Sequence, residues 1–311
     1  MKKVIITGVG GFIGSHLADR FIKEGYSVIG IDNFITGRRE NIEHLLNNKA
    51  FKLIEMDLGI ERDLKIASDI VLNFASPASP VDYFNFPLET MRVNSIGTLN
   101  MLRLAQKQGA VFVQASTSEV YGDPLVHPQK EDYFGNVNPV GIRSVYDEGK
   151  RFGEALSMLF FREYKTKVRI VRIFNTYGPR MKKDDGRVIP NFINQALENR
   201  PITIYGDGMQ TRSYCYIDDL VDGIFKIATL KDIDGEVINL GNPEEYTVIE
   251  TARIIKELTS SRSNFKFLPP LQDDPKKRRP NIEKAKKILG WQPKTPFRDG
   301  LLKTIEYFKN G

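Results

Sequence analysis

The apolar residues of this chain alternate between two periods. Residues 3 to 7, KVIIT, form an unbroken β-branched run, the pattern of a strand buried on both faces. Apolar positions then recur at Phe12, Ile13, Leu17 and Phe21, a helical stripe. A second strand, YSVIGID, closes on Asp32. Beyond it the pattern predicts a helix around residues 38 to 47, a strand FKLIEM before Asp57, a strand DIVLNFAS and a long helix from about 88 to 108. The strand AVFVQAS follows, then a helix running through Tyr146 to about Tyr164, and the strand VRIVRIF. Strand and helix in repeated alternation predict an α/β protein with a doubly wound parallel (Rossmann) sheet.

The remainder departs from that rhythm. From Asn175 to Arg212 the chain is loop, helix and the short strand ITIYG, rich in Arg, Asn and Gly. YIDDLVDGIFKIATL returns as an amphipathic helix and VINLGNP as a strand, and two more helices are expected near 247 to 260 and 297 to 309. We therefore expect a nucleotide-binding domain from residues 1–174 and 213–240. A smaller interleaved α/β substrate domain would comprise 175–212 and 241–311, with a cleft between the two.

Composition narrows the function classes. The chain has 311 residues, 41% hydrophobic and 27% charged, enough to bury a large core. Its apolar stretches are far shorter than a membrane span, and the first strand begins at Lys3, so no leader peptide is expected. The sole cysteine, Cys215, excludes an intramolecular disulfide and suits a reducing cytoplasm. His16, His44 and His127 are scattered without ligand spacing, so no metal site is expected. The net charge of +6 is densest in PKKRRP, residues 275 to 280, without the interleaved aromatics of a nucleic-acid surface. A small polyanionic substrate is the better match.

The loop TGVGGFIG carries the first chemical signal. Gly8, Gly11 and Gly14 stand three apart between a strand and a helix, where bare backbone amides can approach a pyrophosphate and the helix terminus adds positive charge. Asp32 ends the next strand, placed to accept hydrogen bonds from a ribose diol. An Asp there repels a 2′-phosphate, so NAD is expected rather than NADP. Ligands of such sheets lie beyond the strand C-termini, which puts Ser76, Ser116 and Thr117 at the cofactor site. The second signal is VYDEGKR: Tyr146 and Lys150 lie one helical turn apart. A lysine ammonium beside the phenol is expected to lower its pKa and make a phenolate base.

Longer segments add a resemblance. TGVGGFIGSHL, DNFITGRREN, LNFASPASP, ASTSEVYGDP, YDEGKR, RIFNTYGPRM, YGDGMQTRSY, NLGNPEEYT and QDDPKKRRPNIEKAKKILGWQP resemble the extended short-chain dehydrogenase/reductase superfamily. More narrowly, they resemble the UDP-glucuronate decarboxylases, or UDP-xylose synthases. One departure, Val9-Gly10 in place of Gly and a variable small residue, leaves the three spaced glycines intact.

The resemblance implies oxidation at carbon 4 of UDP-glucuronate, loss of carbon dioxide from the resulting β-keto acid, and reduction to UDP-xylose with NAD regenerated. It implies Tyr146, Lys150, Glu119, Thr117, Ser118 and Arg278 as the catalytic set. Around NAD it implies Gly8, Gly11, Phe12, Ile13 and Gly14; Asp32, Asn33, Phe34, Thr36 and Gly37; Asp57 and Leu58; and Phe74, Ala75, Ser76, Ala115 and Thr176, together with Tyr146 and Lys150. Around UDP it implies Asn175, Arg187, Val188, Tyr205, Gln210 and Arg212, with Tyr83 and Arg92 reaching from the first domain. Arg278 would orient the sugar carboxylate or assist proton delivery at carbon 5.

Related 4,6-dehydratases carry an Asp where Ser118 stands, and an Asp would oppose a substrate carboxylate. A sugar-nucleotide 4-epimerase or 4,6-dehydratase is the alternative on the same scaffold, and an inactive cofactor-sensing or RNA-binding relative the remoter one. The superfamily's usual homodimer would pair the helices at 88 to 108 and 144 to 164 as a four-helix bundle, through Met91, Leu99, Leu102, Leu156 and Leu159.

Overall fold

The computed structural model describes residues 1–270 and 277–310. Six strands, β1 Lys3–Thr7, β2 Ser27–Asp32, β3 Phe51–Glu55, β4 Ile70–Asn73, β5 Val111–Thr117 and β6 Lys167–Ile173, are joined by the strand Val237–Leu240 in one sheet. Its order is Val237–Leu240, β6, β5, β4, β1, β2, β3, and every pairing is parallel. The strand order reverses between β1 and β4, which opens a crevice at their C-terminal ends. The expected doubly wound α/β sheet is therefore present.

Strand pleating explains why the runs are apolar throughout. Val4, Ile6, Val28, Leu72, Val113 and Val171 face one layer, with Leu17 and Phe21 of α1 (Phe12–Lys23) and Leu220 and Ile224 of the helix Ile217–Thr229. Ile5, Ile31, Val71, Phe112, Val168 and Ile170 face the other. Met101, Leu102 and Leu104 of the helix Thr98–Gln108 and Phe160 of the helix Ser144–Tyr164 cover that second face. Each such buried side chain contributes roughly 1.5–3 kcal/mol relative to exposure.

Two expected helices differ. Residues 38 to 47 form two short 3-10 turns, Arg39–Asn41 and Glu43–Leu45. The long helix expected over 88 to 108 is interrupted: α3 is Pro87–Arg92, a π-turn occupies Val93–Gly97, and α4 is Thr98–Gln108. Asn94 sits in the widened turn, where its Nδ2 donates to Ser76 Oγ at 2.9 Å and to Thr90 O at 2.8 Å. A side chain wedged into the ladder accounts for the break. Leu102 is fully buried against its own sheet, so it is not part of an outward face.

The interleaved segments form three small two-stranded sheets. Thr176–Tyr177 pairs with Cys215–Tyr216, Thr211–Ser213 with Glu245–Thr247, and Ile202–Tyr205 with Phe265–Leu268. A capping box between Thr247 and Glu250 starts the helix Val248–Leu258 at the expected place. Among the described residues no helix is long and apolar enough to cross a membrane.

Candidate active site

A cavity of about 470 Å³ opens beyond the C-terminal ends of the strands, within the usual range for ligand sites. One end is the glycine loop. Gly8 has φ +72°, and a Cβ there would meet Ala75 Cα at 2.9 Å; a Cβ on Gly14 would lie 2.1 Å from the Gly8 carbonyl oxygen. Only bare backbone fits this cradle. Gly11 caps α1 without a side chain, so the first-turn amides face the cavity with no competing acceptor. Asp32 is buried at the end of β2, where its carboxylate accepts from the Gly10 and Phe34 amides, both at 2.8 Å. Burial raises its pKa and those amides pull it back. This cradle and strand-end carboxylate fit an adenine dinucleotide.

Gly8, Gly11, Phe12, Ile13 and Gly14 line the cavity, as do Asp32, Asn33, Thr36, Gly37 and Asp57, and Phe74, Ala75, Ser76, Ala115 and Thr176. Three proposed ligands lie elsewhere. Leu58 is buried in the second core layer, and Arg92 is exposed on α3. Phe34 turns its ring under the Arg39 guanidinium, 4.4 Å away.

The middle of the cavity is built on β5 and on the helix Ser144–Tyr164, here α5, with α2 (Pro80–Asn85) beside them. Thr117 ends β5, and its Oγ1 accepts from the Glu119 amide at 3.2 Å, which turns Ser118–Tyr121 into a 3-10 turn facing the cavity. Thr117 also shares a hydrogen bond with the Tyr146 hydroxyl. Lys150 is 4% exposed, donates to the Ala115 carbonyl at 3.1 Å, and stands 5.7 Å from the Tyr146 ring centre. Burial lowers its pKa to about 8, so it stays cationic at neutral pH.

The expected depression of the phenol is not found in the protein alone. Burial dominates and raises the Tyr146 pKa, with the Thr117 hydrogen bond opposing it. Lys150 is spent on a carbonyl rather than on the phenol oxygen. Tyr83 of α2 stacks on Tyr146, ring centres 5.1 Å apart and 9° from parallel, and its own hydroxyl is buried with no hydrogen-bond partner among the described residues.

Beside this pair lies an ion cluster. Arg278 is 4% exposed and grips both oxygens of Glu119, through Nη1 and, at 3.1 Å, Nη2. Arg143 donates to the same carboxylate from the other side at 2.6 Å. Burial alone would raise the Glu119 pKa, but Arg278 and then Arg143 outweigh it and hold it down to about 2. The structure thus brings Thr117, Ser118, Glu119, Tyr146, Lys150 and Arg278 to one wall. It adds Arg143, which sequence reasoning missed: its partner is 24 residues away, and no local spacing announces it.

The far end is basic and polar. Tyr83, Asn175, Arg187, Val188, Tyr205, Gln210 and Arg212 all line the cavity. Arg187 gives Nε and Nη2 to Asp185, which orients its fork. It also caps the helix Val188–Leu197 without a side-chain acceptor, so that helix too presents its first amides. Lys182 reaches across to Asp82 of α2 at 2.9 Å, a second feature not foreseen. Residues 275 and 276 of the basic run lie outside the described residues.

A dinucleotide cradle joined to a buried Tyr/Lys pair defines a nicotinamide-dependent enzyme of the Rossmann type. Residues 4–241 match the model of the NAD dependent epimerase/dehydratase family, and the chain belongs to that family. It is 50% identical over 307 residues to UDP-glucuronic acid decarboxylase 1 of Danio rerio, covering 99% of this chain and 72% of that one. It is 49% identical over 310 residues to UDP-glucuronic acid decarboxylase 2 of Arabidopsis thaliana, covering 99% and 68%. The narrower resemblance seen in the motifs is borne out by these relatives. Among solved structures, the UDP-glucuronic acid 4-epimerase of Bacillus cereus, in complex with UDP-glucuronic acid and NAD, superposes with a TM-score of 0.89 at 30% identity over 99% of each chain. UDP-glucose 4-epimerase of Thermotoga maritima, with UDP-glucose, gives the same score, identity and coverage.

Proposed function

We propose that this chain converts UDP-glucuronate to UDP-xylose and carbon dioxide, with NAD regenerated in each turnover. The observation that carries this reading is the pair of arginines, Arg278 and Arg143, converging beside Tyr146 next to a neutral Ser118. Cationic charge at the reacting end suits a sugar that bears a carboxylate, and the relatives at about half identity are named for that reaction.

NAD, when bound, supplies the hydride acceptor for carbon 4 and returns the hydride after carbon dioxide has left. Gly8, Gly11 and Gly14 would hold its pyrophosphate and Asp32 its ribose. Tyr146 takes the proton of the carbon 4 hydroxyl, and Lys150 keeps positive charge behind it. Thr117 orients the carbon 4 oxygen. With a ketone at carbon 4 the sugar is a β-keto acid, so the electrons of the breaking bond enter an enolate and a proton then goes to carbon 5. Glu119, ionised and gripped by two guanidiniums, serves as a hydrogen-bond acceptor in that pairing and not as the acid. Asn175, Arg187, Val188, Tyr205, Gln210 and Arg212 surround UDP, the arginines through charge-assisted bonds to diphosphate. The substrate domain would be 175–212 with 241–311, and the buried thiol of Cys215 suits a cytoplasmic setting.

Incubation of the purified protein with UDP-glucuronate and NAD should yield UDP-xylose and an equal amount of carbon dioxide. The B. cereus likeness favours one other outcome, the carbon 4 epimer of the intact acid. That product without carbon dioxide would replace this reading. A homodimer through α3, α4 and α5 belongs to the proposal. Met91, Phe152 and Leu159, exposed at 45%, 50% and 43%, supply the apolar contacts. Sedimentation as a monomer at micromolar concentration would refute the dimer.

A further inference from the structure

Arg278 reaches the cavity from a stretch of chain with no regular structure of its own. Residues 277 to 282 run without helix or strand into the helix Glu283–Leu289, and Pro280 forms an isolated bridge to Gln129. Arginine has a long, flexible stem, and a guanidinium must be held to about 0.5 Å to act on a substrate group. The Arg278 Nε is buried with no hydrogen-bond partner among the described residues, so no polar contact steers the stem short of its fork. Its aim depends on the backbone beneath it.

Side chains from two other segments grip that backbone at a single peptide unit. Ser213 Oγ donates to the Arg278 carbonyl at 3.2 Å, and the Arg279 amide donates to Gln129 Oε1 at 2.8 Å. Gln129 Nε2 in turn donates to the Val126 carbonyl at 2.8 Å, so the side-chain amide spans from its own loop to the segment carrying Arg278. The main chain of Gln129 adds two bonds, its N to the Arg279 carbonyl at 2.9 Å and its carbonyl from Asn281 N at 2.8 Å. Asn239, on the strand Val237–Leu240, donates to the carbonyls of Gln129 and Asn281 at 3.1 and 3.2 Å and accepts from the Tyr121 hydroxyl at 2.8 Å. Tyr121 closes the 3-10 turn that carries Glu119. Both members of the Glu119–Arg278 pair are thus registered against one strand, and Gln129 fastens the Arg278 side.

Gln129 is fully buried, and the place is chemically specific: its oxygen meets a donor and its nitrogen an acceptor. An apolar side chain of similar length would fill the space and leave the Arg279 amide without its acceptor, so that peptide must turn to find another. The two main-chain bonds do not depend on the side chain and would keep loop and segment together. A substitution at 129 therefore shifts the peptide beside Arg278 without releasing it.

We propose that Gln129 is a positioning residue that aims Arg278 at the sugar carboxylate by fixing the peptide between residues 278 and 279. Gln129 does not itself line the cavity. The inference rests on the role given to Arg278 in the reading above and adds the group on which that role depends.

A double-mutant cycle tests this. Gln129→Met in the NAD-loaded protein should lower the saturating rate of carbon dioxide release from UDP-glucuronate by about ten- to a hundredfold, as for a misplacement of about 1 Å, while affinities for NAD and UDP-glucose stay level. In the Arg278→Met background the same substitution should cost no more than about twofold, because the group it aims is gone. Gln129→Glu, protonated when so buried, keeps one acceptor and one donor and should recover most of the rate at about pH 6. Losses that multiply independently in the double variant overturn the proposal. So does an unaltered rate in Gln129→Met, or an acid form as slow as it. Failure of both Gln129 variants to fold overturns it too, since Gln129 would then serve the scaffold alone. Carbon dioxide release by the unsubstituted holoenzyme is scored separately, and release with independent losses refutes this inference alone. Without release the decarboxylation reading fails, and the cycle is read instead as affinity for UDP-glucuronate relative to UDP-glucose in the NAD-loaded Tyr146→Phe protein. Coupling of Gln129 to Arg278 there keeps this inference, and its absence refutes both.

Discussion

Arg278→Met would remove a charge while keeping most of the stem's packing. Arg278 supplies two guanidinium nitrogens to Glu119, and a third contact runs from Nη2 to the Gly122 carbonyl at 3.3 Å. Without it, Glu119 stays buried with Arg143 alone, at 2.6 Å. Removing one member of a buried ion pair costs about 3–5 kcal/mol, and the remaining arginine places this case near 3 kcal/mol. Unfolding entropy of about 2.1 cal/mol/K per residue gives roughly 0.65 kcal/mol/K for a chain of this length, so the melting temperature should fall by about 5 °C.

The sign with pH follows from Glu119. Its folded pKa, about 2, lies below the ordinary 4.5, so its contribution is complete above that ordinary value and is lost as pH falls through about 2. The deficit of Arg278→Met should therefore shrink in acid. Thermal melts at neutral and acidic pH measure it. Carbon dioxide release from saturating UDP-glucuronate should fall by about two to three orders of magnitude, with UDP affinity kept within about tenfold. An unchanged melting temperature at neutral pH, or a deficit as large in acid, would refute the reasoning.

Tyr146→Phe removes the proton-carrying oxygen and should lower turnover by about two to four orders of magnitude while NAD still binds; near-normal initial rates would contradict its assignment as base. Gly14→Ala puts a methyl 2.1 Å from the Gly8 carbonyl, so the loop must open and NAD affinity should drop at least about tenfold, roughly 1.4 kcal/mol, by equilibrium titration. Asp32→Arg should shift relative affinity from NAD toward NADP, since a cation would face the 2′-phosphate; an unaltered ratio would show that Asp32 does not reach the ribose. Asp147 has a folded pKa of about 7 against an ordinary 3.8, so the native state loses stability as pH rises between those values. Asp147→Asn escapes that loss: its advantage in urea midpoint should grow from about pH 4 to 7 and level off above, and a constant difference would count against it.

Most of the scaffold was legible because its signals are local. The KVIIT run, the spaced glycines and Asp32 lie within one βαβ unit, and each depends only on near neighbours for its meaning. The Tyr146/Lys150 spacing likewise needs only a helix. The pKa of that phenol was not legible, because it depends on what buries the ring, including Tyr83 stacked from another helix. The break at Val93–Gly97 was missed because the hydrophobic period continues through it, and what widens the turn is Asn94 reaching Ser76 on a different loop. Leu58 and Arg92 rest on the resemblance alone, and side-chain direction, which places Leu58 in the second core layer and Arg92 at the surface of α3, is not written in a motif. The arginine pair on Glu119 joins residues 143 and 278 through a third position, a relation that only the folded chain creates.

That relation also orders events in time. Glu119 and Arg278 are 159 positions apart, whereas the last strand of the large sheet ends at Leu240. A ribosome delivering this chain from its N-terminus completes every strand of the dinucleotide half before Arg278 is made, and domains tend to fold as they emerge. The nascent protein can thus shape its glycine cradle early while Glu119 has only Arg143 to hold it. On the role proposed for Arg278, chains that stop short of it would keep the cradle and lack the cation beside the sugar.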